Sequence, residues 1–470
     1  MTKNKKMKDV IIIGAGIAGL SAGFELQKEN IDFQILEPQD RVGGVIETLK
    51  IGDYLVEAGP HTFSSYSQEL LDLINELGIE EEIQEASPDS KKRYIYLNNH
   101  LMPVPASLPE FFKTEIISKK AKWTIFEEIF IEKEAKEESV EDFITRRFGR
   151  EVLKNLIQPF LNGIFSGDVK KLSATAVFPK LKELENSHKS IILGFLLSRQ
   201  FLKSKKKLTL YSFKEGMEFL ACEIYKKLKA KVTLNANEIE ITRAKDCFIV
   251  TFKVNNKIFN YPTSSILFAT PAYTVLNYSH LFPNQHFAEL FHIDYSPIST
   301  VTQVIDKSKL SINLDGFGYL CTKEPHRKLL GTVWTSSIFP NRAPSEKALF
   351  TSYIGGSHYK KITDQSEDEI KNIVTKEVCE TLHISDHHLL ETIHIKIHPF
   401  AIPQYNIGHL EKVKRVEALI DKNYGLFFTG NYFHGISIND TVKTSKTTVD
   451  RIKKFLNTSV KKEEVLITNT

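Results

Sequence analysis

Val10-Ile11-Ile12-Ile13-Gly14-Ala15-Gly16-Ile17-Ala18-Gly19-Leu20 is an apolar run that passes directly into G-x-G-x-x-G and then into a helical pattern. The spacing predicts a buried strand, a tight turn and a helix. Gly14 permits the turn, Gly16 lets backbone approach a pyrophosphate, and Gly19 with Ala15, Ala18 and Ala22 lets the helix lie close to the strand. The helix that opens at Ile17 and Ala18 then offers free N–H groups and a positive dipole end to phosphates. Downstream, Phe33-Gln34-Ile35-Leu36 reads as a second strand ending at Glu37. A carboxylate at that distance accepts hydrogen bonds from both ribose hydroxyls and disfavours a 2′-phosphate. The unit is a dinucleotide site that excludes NADP, at the start of a doubly wound α/β sheet.

The residues after Glu37 distinguish among dinucleotides. Glu37-Pro38-Gln39-Asp40-Arg41-Val42-Gly43-Gly44 sets a glycine pair and an arginine beside the pyrophosphate. This extension resembles the FAD-binding signature of the flavin amine oxidases and their relatives, and simple NAD dehydrogenases lack it. The resemblance implies FAD as cofactor, with Val45 continuing the cradle. It also implies that the turn Glu57-Ala58-Gly59-Pro60-His61-Thr62 lies against the flavin, where Gly59 allows close backbone approach. Gly430-Asn431-Tyr432-Phe433-His434-Gly435-Ile436-Ser437-Ile438-Asn439-Asp440 opens the last helix. A second helix N-terminus there, with Gly430, Ile436, Ser437 and Ile438, points at the flavin and suits a reduced, anionic ring. Ile239 joins the cofactor residues by the same resemblance. His61 departs from the pattern: some relatives carry a permanent cation there, and a histidine's charge depends on pH.

At 470 residues the chain exceeds what one core usually organises, so two connected domains are expected. Hydrophobic residues at 41% and charged residues at 26% describe a folded chain. A net charge of only +4, with signs interspersed, gives no argument for nucleic acid. Cys222, Cys247, Cys321 and Cys379 match no metal or redox spacing and suit a reducing, cytoplasmic setting. Lys3, Lys5, Lys6 and Lys8 precede an apolar run too short for a signal peptide. No stretch approaches the roughly 20 residues that span a bilayer. His394 and His398 alternate with isoleucines on the wetter face of a strand, about 13 Å apart at ~3.3 Å per residue, too far for one metal. His387 and His388 have no further ligands at suitable spacing. No metal site is expected.

Along the chain, 8–90 reads as the first part of an FAD-binding domain, including a helix over Ser67 to Leu77. Residues 91–207 form a helical substrate lobe with a membrane-facing aspect, in which Ser139 and Asp142 resemble a capping box. Within it, Ser190 to Leu197 reads as a buried helix. Followed by Lys203, Lys205, Lys206 and Lys207, the same stretch also suits a peripheral contact with an anionic membrane face. The β patterns Lys231–Leu234, Cys247–Phe252 and Ile266–Pro271 return the chain to the FAD domain over 208–275. Residues 276–404 read as a mostly antiparallel substrate sheet with a helix near Ser366 to Thr381. The strand Gly425–Gly430 and a final helix through Lys453 complete the FAD domain over 405–457, and 458–470 reads as a tail. The fold class is α/β: a Rossmann-like FAD-binding domain interleaved with a substrate domain.

More specific motifs are Asn162-Gly163-Ile164-Phe165-Ser166-Gly167-Asp168 with Lys171-Leu172-Ser173, then Gly331 to Pro344 with Phe339-Pro340-Asn341-Arg342-Ala343-Pro344 at its end, then Ala401-Ile402-Pro403-Gln404-Tyr405 with Gly408-His409. With the terminal Gly435–Asp440 they resemble the FAD-dependent protoporphyrinogen and coproporphyrinogen oxidases of haem biosynthesis across nearly the whole chain. The resemblance implies oxidation of a porphyrinogen by six electrons in three hydride transfers to flavin N5, with molecular oxygen reduced to peroxide. It further implies that Arg93 anchors a propionate, that Phe339 lies against a pyrrole ring, and that Gly163 brings backbone close to the macrocycle. A broad apolar disc with rim carboxylates needs flat apolar walls and a placed cation. No side chain stands out as an obligatory acid or base. A partner within the same pathway, such as ferrochelatase, fits this reading. A flavin amine oxidase or carotenoid-type desaturase on the same fold, and a flavin-carrying scaffold without turnover, are the alternatives.

Overall fold

The computed structural model describes residues 7–197, 209–283, 285–420, 422 and 424–468. Two seven-stranded sheets organise them. In the first, Lys8–Ile13 lies between Phe33–Leu36 and Lys257–Phe268, parallel to both, with Ile13 opposite Leu36 and Phe268. Val232–Thr233 and Leu426–Phe428 extend the parallel core on either side. Phe248–Val254 and Asn237–Arg243 turn back antiparallel along the first half of the Lys257–Phe268 strand. Val10 to Ile13 are between 0% and 2% exposed. They are apolar without alternation because helices cover both faces of a parallel sheet. The helix Ile17–Lys28 packs against Glu218–Leu228 and against the last helix, Ile438–Thr468. That last helix runs past Lys453, where the sequence pattern ends it.

The second sheet has the strand order Glu391–Pro403, Tyr295–Asp306, Lys347–Gly355, Leu329–Val333, Gly316–Cys321, Lys92–Leu97 and His100–Pro103. All neighbours are antiparallel except Gly316–Cys321 with Lys92–Leu97. Its two faces have different partners. Tyr96, Tyr319, Cys321 and Trp334 pack with Ile370, Val374 and Val378 of the helix Glu367–Leu382. That helix starts at a full capping box of Ser366 and Glu369. Ile95 and Leu97, one residue out of phase, pack with Phe143 and Leu161 of the helical lobe. The period-two alternation of a strand thus divides the sheet between a structural helix and the lobe.

The lobe is held by a buried ionic network. Arg147, with no exposed surface, pairs with Glu128 at 2.9 Å and Glu185 at 2.6 Å, and Arg146 and Lys182 bridge Glu138 and Glu185. Glu128 also accepts from the N–H groups of Ile191 and Ile192 and from Ser190 Oγ, which fixes the start of the helix Ile191–Leu197. That helix corrects the buried assignment. Only Ile191 and Gly194 are buried, and Leu196 and Leu197 are 66% and 65% exposed. The absent side chain of Gly194, where a Cβ would meet Leu184 at 2.8 Å, seats one face while Leu196 and Leu197 point outward. Lys203, Lys205, Lys206 and Lys207 lie outside the described residues. Among the described residues no helix is long and apolar enough to cross a membrane.

Candidate functional site

The glycine turn at the end of the first strand forms a backbone cradle. Gly14 has φ +104°, and a Cβ there would lie 2.9 Å from the Ala269 carbonyl oxygen, so only glycine fits. A Cβ on Gly16 would meet nothing within 4 Å. That open space, at a helix N-terminus with unsatisfied N–H groups, is where a pyrophosphate fits. Gly43 N–H donates to Ala15 O at 2.9 Å, and Gly44 lies directly over the Gly16 Cα. The two glycine segments, predicted separately, are therefore one surface. Ile17, Ala18 and Gly19 begin the helix behind it. Glu37 is 8% exposed, and its carboxylate accepts from Ala15 N–H at 2.7 Å and Gln39 N–H at 3.0 Å, at the lip of the turn beside Pro38. The segment leading to Ile239 is tied to the same lip by bonds between Glu37 and both Thr233 and Ala236.

Arg41 also works on the chain itself. Its guanidinium donates to the carbonyls of Gly44 at 2.6 Å and of Val42 and Ile46 at 3.2 Å each, and it lies 3.4 Å from Glu218. Through these bonds Arg41 braces the Gly43-Gly44 turn from within, and its side chain remains 30% exposed.

The turn from Glu57 to Thr62 closes against this cradle. A Cβ on Gly59 would lie 2.0 Å from the Val45 carbonyl oxygen, and the Val45 side chain is 59% exposed. After Pro60, His61 is buried with neither ring nitrogen hydrogen-bonded. Burial, and then the nearby Arg342, push its pKa down to about 3, so the imidazole is neutral. Glu57, 2% exposed, is pushed up to about 7 by burial, against the pull of Arg342 and of hydrogen bonds from Thr48 and Met217. Strand Glu391–Pro403 also reaches the turn: His398 Nε2 bonds the Ala58 carbonyl at 2.8 Å. His394 and His398 are half-buried rather than on a solvated face, and burial lowers both pKa values. Among the described residues no group of acidic, histidine or cysteine side chains is arranged for a metal.

The final helix arrives at the same place. Ser437 Oγ accepts from Asp440 N–H at 3.1 Å, and Asn439 exchanges two hydrogen bonds with Ser64, two residues beyond Thr62. Tyr405 accepts from Gly435 N–H and donates to the Asn431 carbonyl, fixing the loop from Gly430 through Ile436 that leads to Ile438. An open phosphate cradle, an exposed Val45 at its edge and a buried imidazole lacking partners fit a dinucleotide whose polar ring extends past Gly44 to His61.

Arg93 and Gly163 share a neighbour in strand Gly316–Cys321. The Arg93 guanidinium sits 5.1 Å over the Phe317 ring and donates to Lys91 O. A Cβ on Gly163 would meet Leu320 Cδ2 at 2.7 Å. Phe339 follows the short helix Thr335–Ile338, which packs on the same strand, but it is 1% exposed and lies under Arg342. Arg342 is a site residue that sequence reading does not single out. It stands inside a longer motif, and nothing in its spacing indicates that it meets Glu57.

The family model of flavin-containing amine oxidoreductases matches residues 17–453. A chloroplastic protoporphyrinogen oxidase of Nicotiana tabacum is 29% identical over 95% of this chain and 86% of its own length. A coproporphyrinogen III oxidase of Bacillus subtilis is 27% identical over 96% of this chain and 98% of its own. A crystal structure from an Exiguobacterium species, provisionally named a protoporphyrinogen oxidase, superposes with a TM-score of 0.79 at 20% identity over 96% of this chain and 99% of that one. The chain belongs to the family of flavin-containing amine oxidoreductases, FAD-dependent oxidases.

Proposed function

We propose that this chain oxidises a porphyrinogen to the porphyrin in haem biosynthesis. The observation that carries the reading is near full-length likeness to oxidases named for two such substrates, protoporphyrinogen and coproporphyrinogen III. FAD held there would supply two-electron acceptor chemistry, used three times per porphyrinogen, with three O₂ reduced to three H₂O₂. The chain's own contribution is positioning. Gly14, Gly16 and Gly19, with Gly43, Gly44 and Glu37, hold the dinucleotide, and Val45, Gly59, Pro60, His61, Thr62, Ile436, Ser437 and Ile438 border its ring. Arg93, supported on Phe317 and joined by no carboxylate among the described ion pairs, keeps its guanidinium for a substrate propionate. Gly163 and Phe339 shape the wall beside it. No residue is assigned as acid or base, because the pyrrole nitrogens release protons once the ring is oxidised.

In the same proposal the FAD-binding domain comprises 8–90, 208–275 and 405–457, and the substrate side comprises 91–207 and 276–404. The test is aerobic incubation of purified holoprotein with protoporphyrinogen and, separately, coproporphyrinogen, read by porphyrin fluorescence and peroxide. Acceleration over autoxidation with either one is expected, and the preferred one names the substrate. No acceleration with both would overturn the reading. Solved putrescine oxidases share the fold at TM-score 0.69 and 15% identity, so a diamine is the control for the amine-oxidising alternative.

A further inference from the structure

The turn that closes the cradle is backed by charges the dinucleotide motif does not require. Arg342 is fully buried. Its Nη2 donates to Ser212 Oγ at 2.7 Å and Phe213 O at 3.0 Å and lies 3.5 Å from Glu57, while its Nε has no partner. Glu57 also accepts from Thr48 Oγ at 2.7 Å and Met217 N–H at 3.0 Å. His61, in the same turn, meets the edge of Tyr353, at 6.0 Å between ring centroids. Burying an ion pair costs several kcal/mol of desolvation, and a buried imidazole without partners adds to that cost. The cluster is continuous with the cradle, since Gly59 rests on Val45, next to the Gly44 that covers Gly16.

We propose that Glu57, Arg342 and His61 form a proton-linked electrostatic device that sets how tightly the chain holds reduced against oxidised flavin, with neutral His61 hydrogen-bonded to a polar edge of the ring. The proposal rests on the FAD assignment and not on the identity of the substrate. With Glu57 ionised, its charge balances Arg342. When Glu57 takes a proton from solvent, the Arg342 charge stands uncompensated behind the turn and favours the electron-rich reduced ring. Burial brings the Glu57 pKa to about 7, so the exchange occurs near neutrality. Arg342 stays charged. His61, held down to about 3, does not titrate in that range.

Other titratable groups lie around the same turn. Glu218 shares Thr48 with it and pairs with Arg41. Glu47 pairs with Arg41 and Lys396, and these partners keep its carboxyl ionised below the usual range. Burial lowers the pKa values of His394 and His398 and pushes the buried Tyr353 hydroxyl well upward.

The experiment is a reference-dye titration of the flavin reduction potential in the holoprotein, wild type and Glu57→Gln, from about pH 5.5 to about pH 8.5. The two are expected to coincide at the acid end, where both carry an uncharged side chain. At the alkaline end the variant should favour reduced flavin by about tenfold more, or about 30 mV for a two-electron couple. Coincidence at both ends, or an offset independent of pH, would overturn the proposal. Thr48→Val gives an independent reading if Glu57→Gln does not fold. Losing a hydrogen bond to the ionised carboxylate should move the wild-type inflection to higher pH, and an unmoved inflection would contradict the device. For His61→Phe, FAD affinity should fall about three- to tenfold, and unchanged affinity would remove His61 from it. Purified protein that never retains flavin would overturn the cofactor assignment itself, and this proposal with it.

Discussion

The nucleotide cradle and the wall formed by Arg93, Gly163 and Phe339 are built on opposite principles. The cradle is backbone against backbone: Gly16 under Gly44, Gly43 on Ala15, Gly59 on Val45. Its working feature is the room that absent side chains leave. The wall draws on segments far apart in sequence, with Arg93 over Phe317 and Gly163 against Leu320 of one strand, Gly316–Cys321. A cradle of this kind fails all at once when filled, whereas a wall of side chains loses function or stability in portions. Single substitutions separate the two.

Gly16→Leu should have the largest effect. Because a Cβ at Gly16 meets nothing within 4 Å, the apoprotein should fold with an unchanged melting temperature, yet purify without flavin and without activity. A yellow, active Gly16→Leu protein would remove the cradle from its assigned place. Phe339→Ala should come next. Truncating a phenylalanine that is 1% exposed costs about 3–5 kcal/mol, read as a lower denaturation midpoint with flavin retained. If it costs less than about 1 kcal/mol while KM rises steeply, Phe339 belongs to the open wall and not to the core. Arg93→Met should retain flavin and raise KM for a porphyrinogen about tenfold or more, the loss of one charge-assisted hydrogen bond to a propionate. A fall in kcat at constant KM would contradict that role.

The smallest effect concerns pH. Glu57, raised in the fold, binds a proton that the unfolded chain has released, so it lowers apoprotein stability as pH rises from about 4.5 to about 7. His61, depressed in the fold, does the reverse: its contribution is complete above its ordinary value near 6.5 and is lost as pH falls toward about 3. Between about pH 4.5 and 6.5 the two slopes oppose each other. Relative to wild type, Glu57→Gln should therefore make stability climb more steeply with pH across that window, and His61→Phe should make it fall, as read by urea midpoints at several pH values. Equal slopes in all three proteins would mean that neither group is held as described.

The same contrast decides how much of the molecule is legible in its sequence. The strand Val10–Ile13, its glycines and Glu37 are contiguous, and each residue type there has one mechanical reason to be present. Backbone contacts between Gly44 and Gly16 are expected once both lie near one pyrophosphate. The Glu57–Arg342 pair is not legible, because it depends on how Leu210–Phe213 and the turn after Phe339 pack together, which no local pattern encodes. The bracing bonds of Arg41 are not legible for a related reason: the carbonyls of a tight glycine turn need donors, and no local pattern says which side chain supplies them. Periodicity also fails for Ile191–Leu197, whose apolar run predicts burial. Glu128 fixes only its first turn and Leu184 covers only Gly194, leaving Leu196 and Leu197 outside. The alternation around His394 and His398 suggests a solvated face, but the strand is half-covered there, with the turn at Ala58 against His398.

Whether the FAD cradle serves a porphyrinogen is tested most directly by anaerobic mixing. Purified yellow holoprotein is mixed without oxygen with protoporphyrinogen or coproporphyrinogen, and flavin absorbance is followed in the same cuvette as porphyrin absorbance. The flavin should bleach as porphyrin appears, faster than any autoxidation, and admitting air should restore the yellow colour. Flavin that stays oxidised in the presence of both porphyrinogens would contradict the assignment.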